Sequence, residues 1–285
     1  MMSKIRKILA LLLCFVLVFG QTGFAQAAGQ MDISGHFLAL NSSFSQDKFR
    51  PLHLRYLDYD SQKNSFKLLI DKGDLKDLRN SFIQDSTRKL MEYFFVGLAL
   101  PNNSFWVNLR PDSPENIVDP LLAQTDLGRI LLEADVQLKK DTAKMTSPET
   151  KEGREYWNRL YKKAEELLGH DNISIPTLTR PWIVPGEIII SETPTNVYIY
   201  KATLKVMLEQ DYLKDSATYK FADPKLKALN EYASELIREL IIPKLTKEIN
   251  TSKRYASLRQ VYYSLILSQW FKQRFKGQPS AGITN

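Results

Sequence analysis

The residues best equipped for chemistry lie in one run, Asp126-Leu-Gly128-Arg129-Ile-Leu-Leu-Glu133-Ala-Asp135-Val-Gln-Leu-Lys139-Lys140. Carboxylates, a guanidinium and amines this close together are the ingredients of an acid–base or anion-binding site. On a helix turning about 100° per residue, Arg129 and Glu133 fall opposite the apolar stripe, whereas Asp135 lies nearer to it. The same spacing also makes ordinary surface pairs, Arg129–Glu133 and Asp135–Lys139, each contributing about 0.3–0.5 kcal/mol. Gly128 is out of place, because glycine in a first turn costs up to about 1 kcal/mol against alanine. It implies close approach of another backbone or of a ligand. A second candidate is Arg180-Pro-Trp182-Ile-Val-Pro-Gly-Glu187, where two prolines and a glycine hold an extended segment that presents Trp182 and Glu187. The alternative is a rigid start to a strand with Trp182 in the core. Gly128, Arg129, Glu133, Asp135, Trp182 and Glu187 are thus the candidate ligand-binding residues, and no catalytic residue is assigned.

Several familiar chemistries lack their residues. His36, His53 and His170 are far apart, and none has another histidine three or four positions away. A metal site is therefore not expected, and neither is a cofactor. Asp58-Tyr59-Asp60 with Asn64 partly matches a calcium loop, but Lys63 stands where the turn glycine belongs and Leu69 where the final glutamate belongs. No nucleophile elbow, dinucleotide fingerprint or phosphate loop occurs, and there are only 12 glycines. A pair of facing carboxylates would suit a glycosidase, but none of the 32 acidic residues is marked out by its surroundings.

The elements that must position these residues follow from periodicity. Leu52, Leu54, Tyr56 and Phe66, Leu68, Ile70 alternate as two short strands joined by a polar turn over residues 58–64, a hairpin. Residues 75–100 read as a helix that turns increasingly apolar, stopped by Pro101. Phe105 to Leu109 reads as a short strand. Thr125 is an N-cap with Asp126 in the first turn, and Leu127, Ile130, Leu131, Ala134, Leu138 and Met145 form one stripe. Thr146-Ser147-Pro148-Glu149 reads as the start of the next helix, carrying Trp157, Leu160, Tyr161, Ala164 and Leu168 inward and ending at Gly169. Trp182 to Ile190 and Val197 to Leu208 are β-branched and form a second hairpin around Pro194. Asp223-Pro224 opens a long helix kinked at Pro243, and after a break near Thr251-Ser252 a final helix runs to Phe275. The sum is an α+β fold, two hairpins or one short antiparallel sheet with about five helices and a helical C-terminal half.

The first 28 residues carry a separate signal. Lys4, Arg6 and Lys7 precede an apolar run from Ile8 to Gly20, and Ala25-Gln26-Ala27 is a small-x-small cleavage site. This is the layout of a secretory signal peptide and too short for a membrane span. The expected organisation is 1–28 signal peptide, 29–50 flexible lead-in, 51–276 one α+β domain and 277–285 a disordered tail, with the protein exported to the periplasm, envelope or exterior. The single cysteine, Cys14, falls in the signal peptide, so the exported chain has neither disulfides nor thiolate sites. Removing the three leader cations from the 39 Lys+Arg leaves 36 against 32 acidic residues, so the exported chain keeps +4 of the net charge of +7. With export, that makes nucleic acid an unexpected partner, and no mature segment is apolar enough to span a membrane.

Thr125–Lys140, Pro181-Trp-Ile-Val-Pro185, Leu204-Lys-Val-Met-Leu-Glu-Gln-Asp-Tyr-Leu213 and Leu258-Arg-Gln-Val-Tyr-Tyr-Ser-Leu-Ile-Leu267 resemble motifs of large, uncharacterised exported bacterial proteins. The resemblance covers most of the mature chain and implies one continuous module; it carries no activity. The reading that follows is an exported non-catalytic module binding a protein or polymer partner. An exported hydrolase with a carboxylate or Ser/His site is one alternative. A polyanion binder using Lys244, Lys247, Lys253, Arg254, Arg259, Lys272, Arg274 and Lys276 is another.

Overall fold

The first hairpin closes because Asp60 accepts the Gln62 and Lys63 amides through one side-chain oxygen, and Asn64 takes the left-handed conformation that its short polar side chain tolerates. Its strands are β1 (His53–Asp60) and β2 (Ser65–Asp71). The second hairpin joins β3 (Pro181–Glu192) to β4 (Asn196–Leu208), its turn held by the Thr193 hydroxyl, which accepts the Asn196 amide at 3.1 Å. Leu57 pairs with Val197, both fully buried, which joins the hairpins into one antiparallel sheet of order β2-β1-β4-β3. This computed structural model describes residues 48–76, 79–100, 120–169, 180–213 and 223–275. The leader, the lead-in up to Asp47, the Phe105–Leu109 strand, the tail, His36 and His170 lie outside them.

The helices are α1 (Asn80–Ala99), the short α2 (Pro120–Ala123), α3 (Asp126–Met145), α4 (Lys151–Leu168), the short α5 (Glu209–Leu213), α6 (Pro224–Leu236), α7 (Ile242–Thr251) and α8 (Ala256–Phe275). With the sheet they make the α+β fold that the periodicities predict, helical through its C-terminal half. Helix α8 packs on α1 and β1, α7 on β4, α3 on β3 and α4 on α6. Val261, Leu265, Leu267 and Trp270 of α8 are buried on several sides of the helix, in one apolar cluster with Leu54, Leu57, Phe94 and Leu131.

Three boundaries differ from the periodic reading. Helix α1 begins at Asn80 rather than Leu75, because Asp71 and Asp74 hold a turn around Gly73, accepting the Gly73 and Arg50 amides. A Cβ on Gly73, whose φ is +58, would meet the Pro51 carbonyl at 2.7 Å, so only glycine fits there. Helix α4 begins after Thr150, not at Thr146: the Thr150 hydroxyl accepts the Gly153 amide, and Thr146 to Glu149 form the connecting turn. Leu160 and Ala164 are buried as the periodicity predicts, but Tyr156 joins them in the core and Tyr161 faces solvent. Finally, the distortion near Pro243 is a π-helical turn over Ile237–Ile241, in which the Ile242 amide reaches back to the Ile237 carbonyl. Pro243 cannot donate to Glu239, and the wider turn accommodates the loss. It also directs Arg238 to Asp211 of α5 and Glu239 to Arg159 of α4, each as a two-bond pair.

Candidate functional site

The six sequence candidates do not meet in one hydrogen-bonded cluster. Gly128 is buried beneath the end of α2, and a Cβ there would run into the Leu122 carbonyl. The approaching group is backbone: the Thr125 hydroxyl donates to Leu122 O at 2.7 Å and accepts the Gly128 amide at 3.0 Å. Thr150, Ser147 and Gly153 repeat this arrangement at the start of α4. Arg129 is exposed and pairs with Asp126 rather than Glu133, which is also exposed. Asp135 is buried and receives the Lys139 ammonium at 2.5 Å. Trp182 sits in the core; its indole N–H donates to Glu209 at 2.7 Å while the Arg180 guanidinium lies 4.6 Å above its ring and 3.3 Å from Glu209. Glu187 is exposed and pairs with Lys201.

Two polar clusters escaped the sequence reading. Asp141 stands on the apolar stripe of α3, one helical step from both Leu138 and Met145, and is only 2 % exposed. Its oxygens accept from Arg254 at 2.5 Å, Gln137 at 2.9 Å and the Tyr255 hydroxyl at 2.9 Å, and Arg254 also reaches Glu248. Burial beside a carboxylate pushes the Tyr255 phenol well up, so it stays a donor. A carboxylate at a core position was the available signal. Its partners Arg254 and Tyr255, more than 100 residues away, were not readable.

The second cluster forms where β1 and β4 part beyond the Tyr56–Tyr198 pair. His53 is buried against the Tyr263 ring, 4.1 Å between centroids, and its Nδ1 donates to the Pro51 carbonyl at 2.8 Å. That leaves Nε2 as an acceptor with no hydrogen-bond partner, 3.9 Å from Asp71. Arg55 lies 3.6 Å from the same carboxylate and donates to the Tyr263 hydroxyl at 3.4 Å. Burial lowers the pKa of His53, which favours the neutral ring. Asp71 is lowered despite burial, because the Gly73 amide, His53 and Arg55 favour its charge.

The remaining feature is an edge. Trp182, Ile183 and Val184 are all buried, so both faces of that end of β3 are covered. From Glu187 to Glu192 every residue is exposed, including Ile188 (41 %), Ile189 (43 %) and Ile190 (38 %), with Tyr200 of β4 at 60 %. The register with β4 shifts after Pro185 and again after Ile189, and the far end is tied to α8, where the Trp270 indole N–H donates to Glu192 at 2.6 Å. The fold does cover the comparable open edge of β4: Asn250 of α7 brackets Leu204, accepting its N–H at 2.9 Å and donating to its carbonyl at 2.7 Å, and the Thr246 hydroxyl accepts the Val206 amide. Among the described residues no strand pairs with β3 on the side away from β4 between Glu187 and Glu192.

The C-terminal cations are mostly employed within the fold. Arg259 donates to the carbonyls of Ile249, Phe49 and Ser252, with burial lowering its pKa to about 10. Lys272 caps the end of α1 through Gly97 and Leu100, Arg274 reaches Pro194, Lys244 pairs with Glu152, and Arg254 belongs to the Asp141 cluster. Lys276 lies outside the described residues. No group of three or more potential metal-binding His, Cys, Asp or Glu occurs among the described residues, and no described helix is long and apolar enough to cross a membrane. Comparison with protein-family models, with curated proteins and with solved structures returns no match.

Proposed function

We propose that the protein is an exported, non-catalytic module of the cell envelope or secreted space that binds an extended apolar segment of a protein partner along β3. The observation that carries this is the exposed Ile188-Ile189-Ile190 run on β3, which is an edge strand among the described residues. Such an edge supplies main-chain hydrogen bonds for affinity and side-chain faces for selectivity, and soluble proteins ordinarily blunt it with charge, proline or a covering element. Export rests on residues 1–28.

The test uses a fluorescent eight-residue Val/Thr peptide and the same peptide N-methylated at alternate residues. The parent peptide should bind the full chain, and both N-methylation and Ile188→Lys/Ile190→Lys should abolish binding. Equal binding of the parent and methylated peptides would rule out strand addition.

A hydrolytic site assembled by the fold is the second reading. The observation in its favour is His53, with a free Nε2 lone pair 3.9 Å from Asp71. Hydrolysis of ester or glycoside substrates that disappears in His53→Gln would replace the binding reading. The polyanion reading draws less support, because five of its eight cations serve carbonyls or carboxylates of the fold.

A further inference from the structure

We propose that acid exchanges the partner of Asp71: His53, protonated at Nε2, takes the carboxylate oxygen that Arg55 now faces, and Arg55 is released between Tyr198 and Tyr263. Nothing in this exchange depends on the docking role given to β3.

The geometry centres on one carboxylate. Asp71 Oδ1 is committed, accepting the Gly73 amide at 2.9 Å. Oδ2 is contested: Arg55 Nε stands 3.6 Å away and His53 Nε2 3.9 Å, both beyond hydrogen-bond reach. The Pro51 carbonyl decides between them while the ring is neutral. It accepts from His53 Nδ1 at 2.8 Å, so the one ring proton sits there and the Nε2 lone pair faces Oδ2. Two acceptors make no bond, and Arg55 remains the partner. A proton on Nε2 reverses this. Both ring nitrogens then donate, and a shift of about 1 Å brings Nε2 within reach of a charge-assisted bond. Despite its burial Asp71 is held low by the Gly73 amide, His53 and the guanidiniums of Arg55 and Arg50, so it keeps its charge as the pH falls.

The other charged and titratable groups around this pair are held in place. Arg259 of α8 is pinned by the carbonyls of Ile249, Phe49 and Ser252, and Arg50 by the Asp74 carboxylate. The Tyr263 phenol, raised by burial, stays protonated. Arg55 is the group that yields. Among the described residues its only hydrogen bond is the 3.4 Å donation to the Tyr263 hydroxyl. Its guanidinium already lies 5.9 Å from the centre of the Tyr198 ring and 6.0 Å from that of Tyr263, at cation–π distance. Two cations on one oxygen repel, and the side chain with 22 % exposure moves more readily than the one with 8 %. Once released, Arg55 stands beside Tyr198, whose ring meets the exposed Tyr200 at 4.8 Å. Proton uptake at a buried ring thus becomes a free charge at the fork of β1 and β4.

NMR of the full chain, labelled with nitrogen-15 in histidine and arginine, tests the exchange from about pH 7.5 to about pH 5. At the neutral end His53 should carry its proton on Nδ1. As the pH falls, an Nε2–H signal should appear and the Arg55 Nε–H signal should shift, both with one midpoint. Arg55→Gln removes the competitor and its charge, so it should raise the His53 midpoint by about one pH unit. Asp71→Asn should lower that midpoint and abolish the Arg55 shift. A histidine that serves packing alone would titrate without moving Arg55. A neutral ring protonated on Nε2, an Arg55 signal that does not follow His53, or an unchanged midpoint in Arg55→Gln would overturn the proposal. If Asp71→Asn does not fold, the shared midpoint of the unaltered chain and the Arg55→Gln shift still decide.

Discussion

Gly97 of α1 lies directly against Ser268 of α8: a Cβ on Gly97 would stand 2.9 Å from the Ser268 Cβ and closer still to its hydroxyl, with the Leu265 Cδ2 also at 2.9 Å. The serine hydroxyl is turned back to the Leu265 carbonyl, which keeps it satisfied at this buried crossing. The absence of a side chain at residue 97 is what lets the two helices approach.

Gly97→Ala should therefore destabilise the protein. In an exposed helix the change would gain up to about 1 kcal/mol, but overpacking a buried crossing costs about 1–3 kcal/mol. Urea unfolding should show a net loss, largely recovered in Gly97→Ala/Ser268→Gly. Stabilisation by the single change would mean that the helices part freely.

Asp141→Ala strips Arg254, Tyr255 and Gln137 of a shared acceptor. Leaving a buried cation short of its partner costs about 3–5 kcal/mol, although Glu248 retains one Arg254 contact. Replacing the set, as Asp141→Leu/Arg254→Met/Tyr255→Phe, should cost much less than the single change. Equal losses in the two variants would show that the cluster contributes through its charges rather than through their mutual satisfaction.

His53 gives stability a pH dependence of known sign. Burial, reinforced by Arg55 and Arg259 and opposed by the Pro51 carbonyl and Asp71, lowers its pKa in the fold. In the unfolded chain the ring titrates near about 6.5. Below that pH the unfolded state takes up a proton that the folded state does not, so stability is full above about pH 6.5 and falls as the pH drops towards the folded pKa. The lowered Asp71 acts in a more acid window, losing its contribution only below the ordinary carboxylate range. Urea midpoints measured from pH 7.5 to 5 should decline, and His53→Gln should flatten the decline. An unchanged slope in that variant would assign the titration elsewhere.

Export predicts an N-terminus at Ala28 or Gly29 in protein recovered from its native host, read by intact mass. A chain that still begins at Met1 would sink the leader reading, and the envelope assignment with it.

The sequence by itself determined the elements and several of their ends. Period-two and period-3.6 patterns are local, and the caps at Thr125, Asp223 and Gly169 depend on groups within a few residues. Local chemistry also misled where two caps competed: Thr146-Ser147-Pro148-Glu149 and Thr150-x-x-Gly153 can both start a helix, and the fit of Gly153 beneath the Ser147 carbonyl decided for the second. Only the tertiary structure decided the rest. That Leu57 pairs with Val197 makes β3 an edge, and nothing in either hairpin specifies which strand the other will join. Asp141 finds Tyr255, and His53 finds Tyr263, because α8 crosses α3 and the sheet. Such contacts depend on how separate apolar faces share one core. That is a property of their combined shape, which no window of the chain contains.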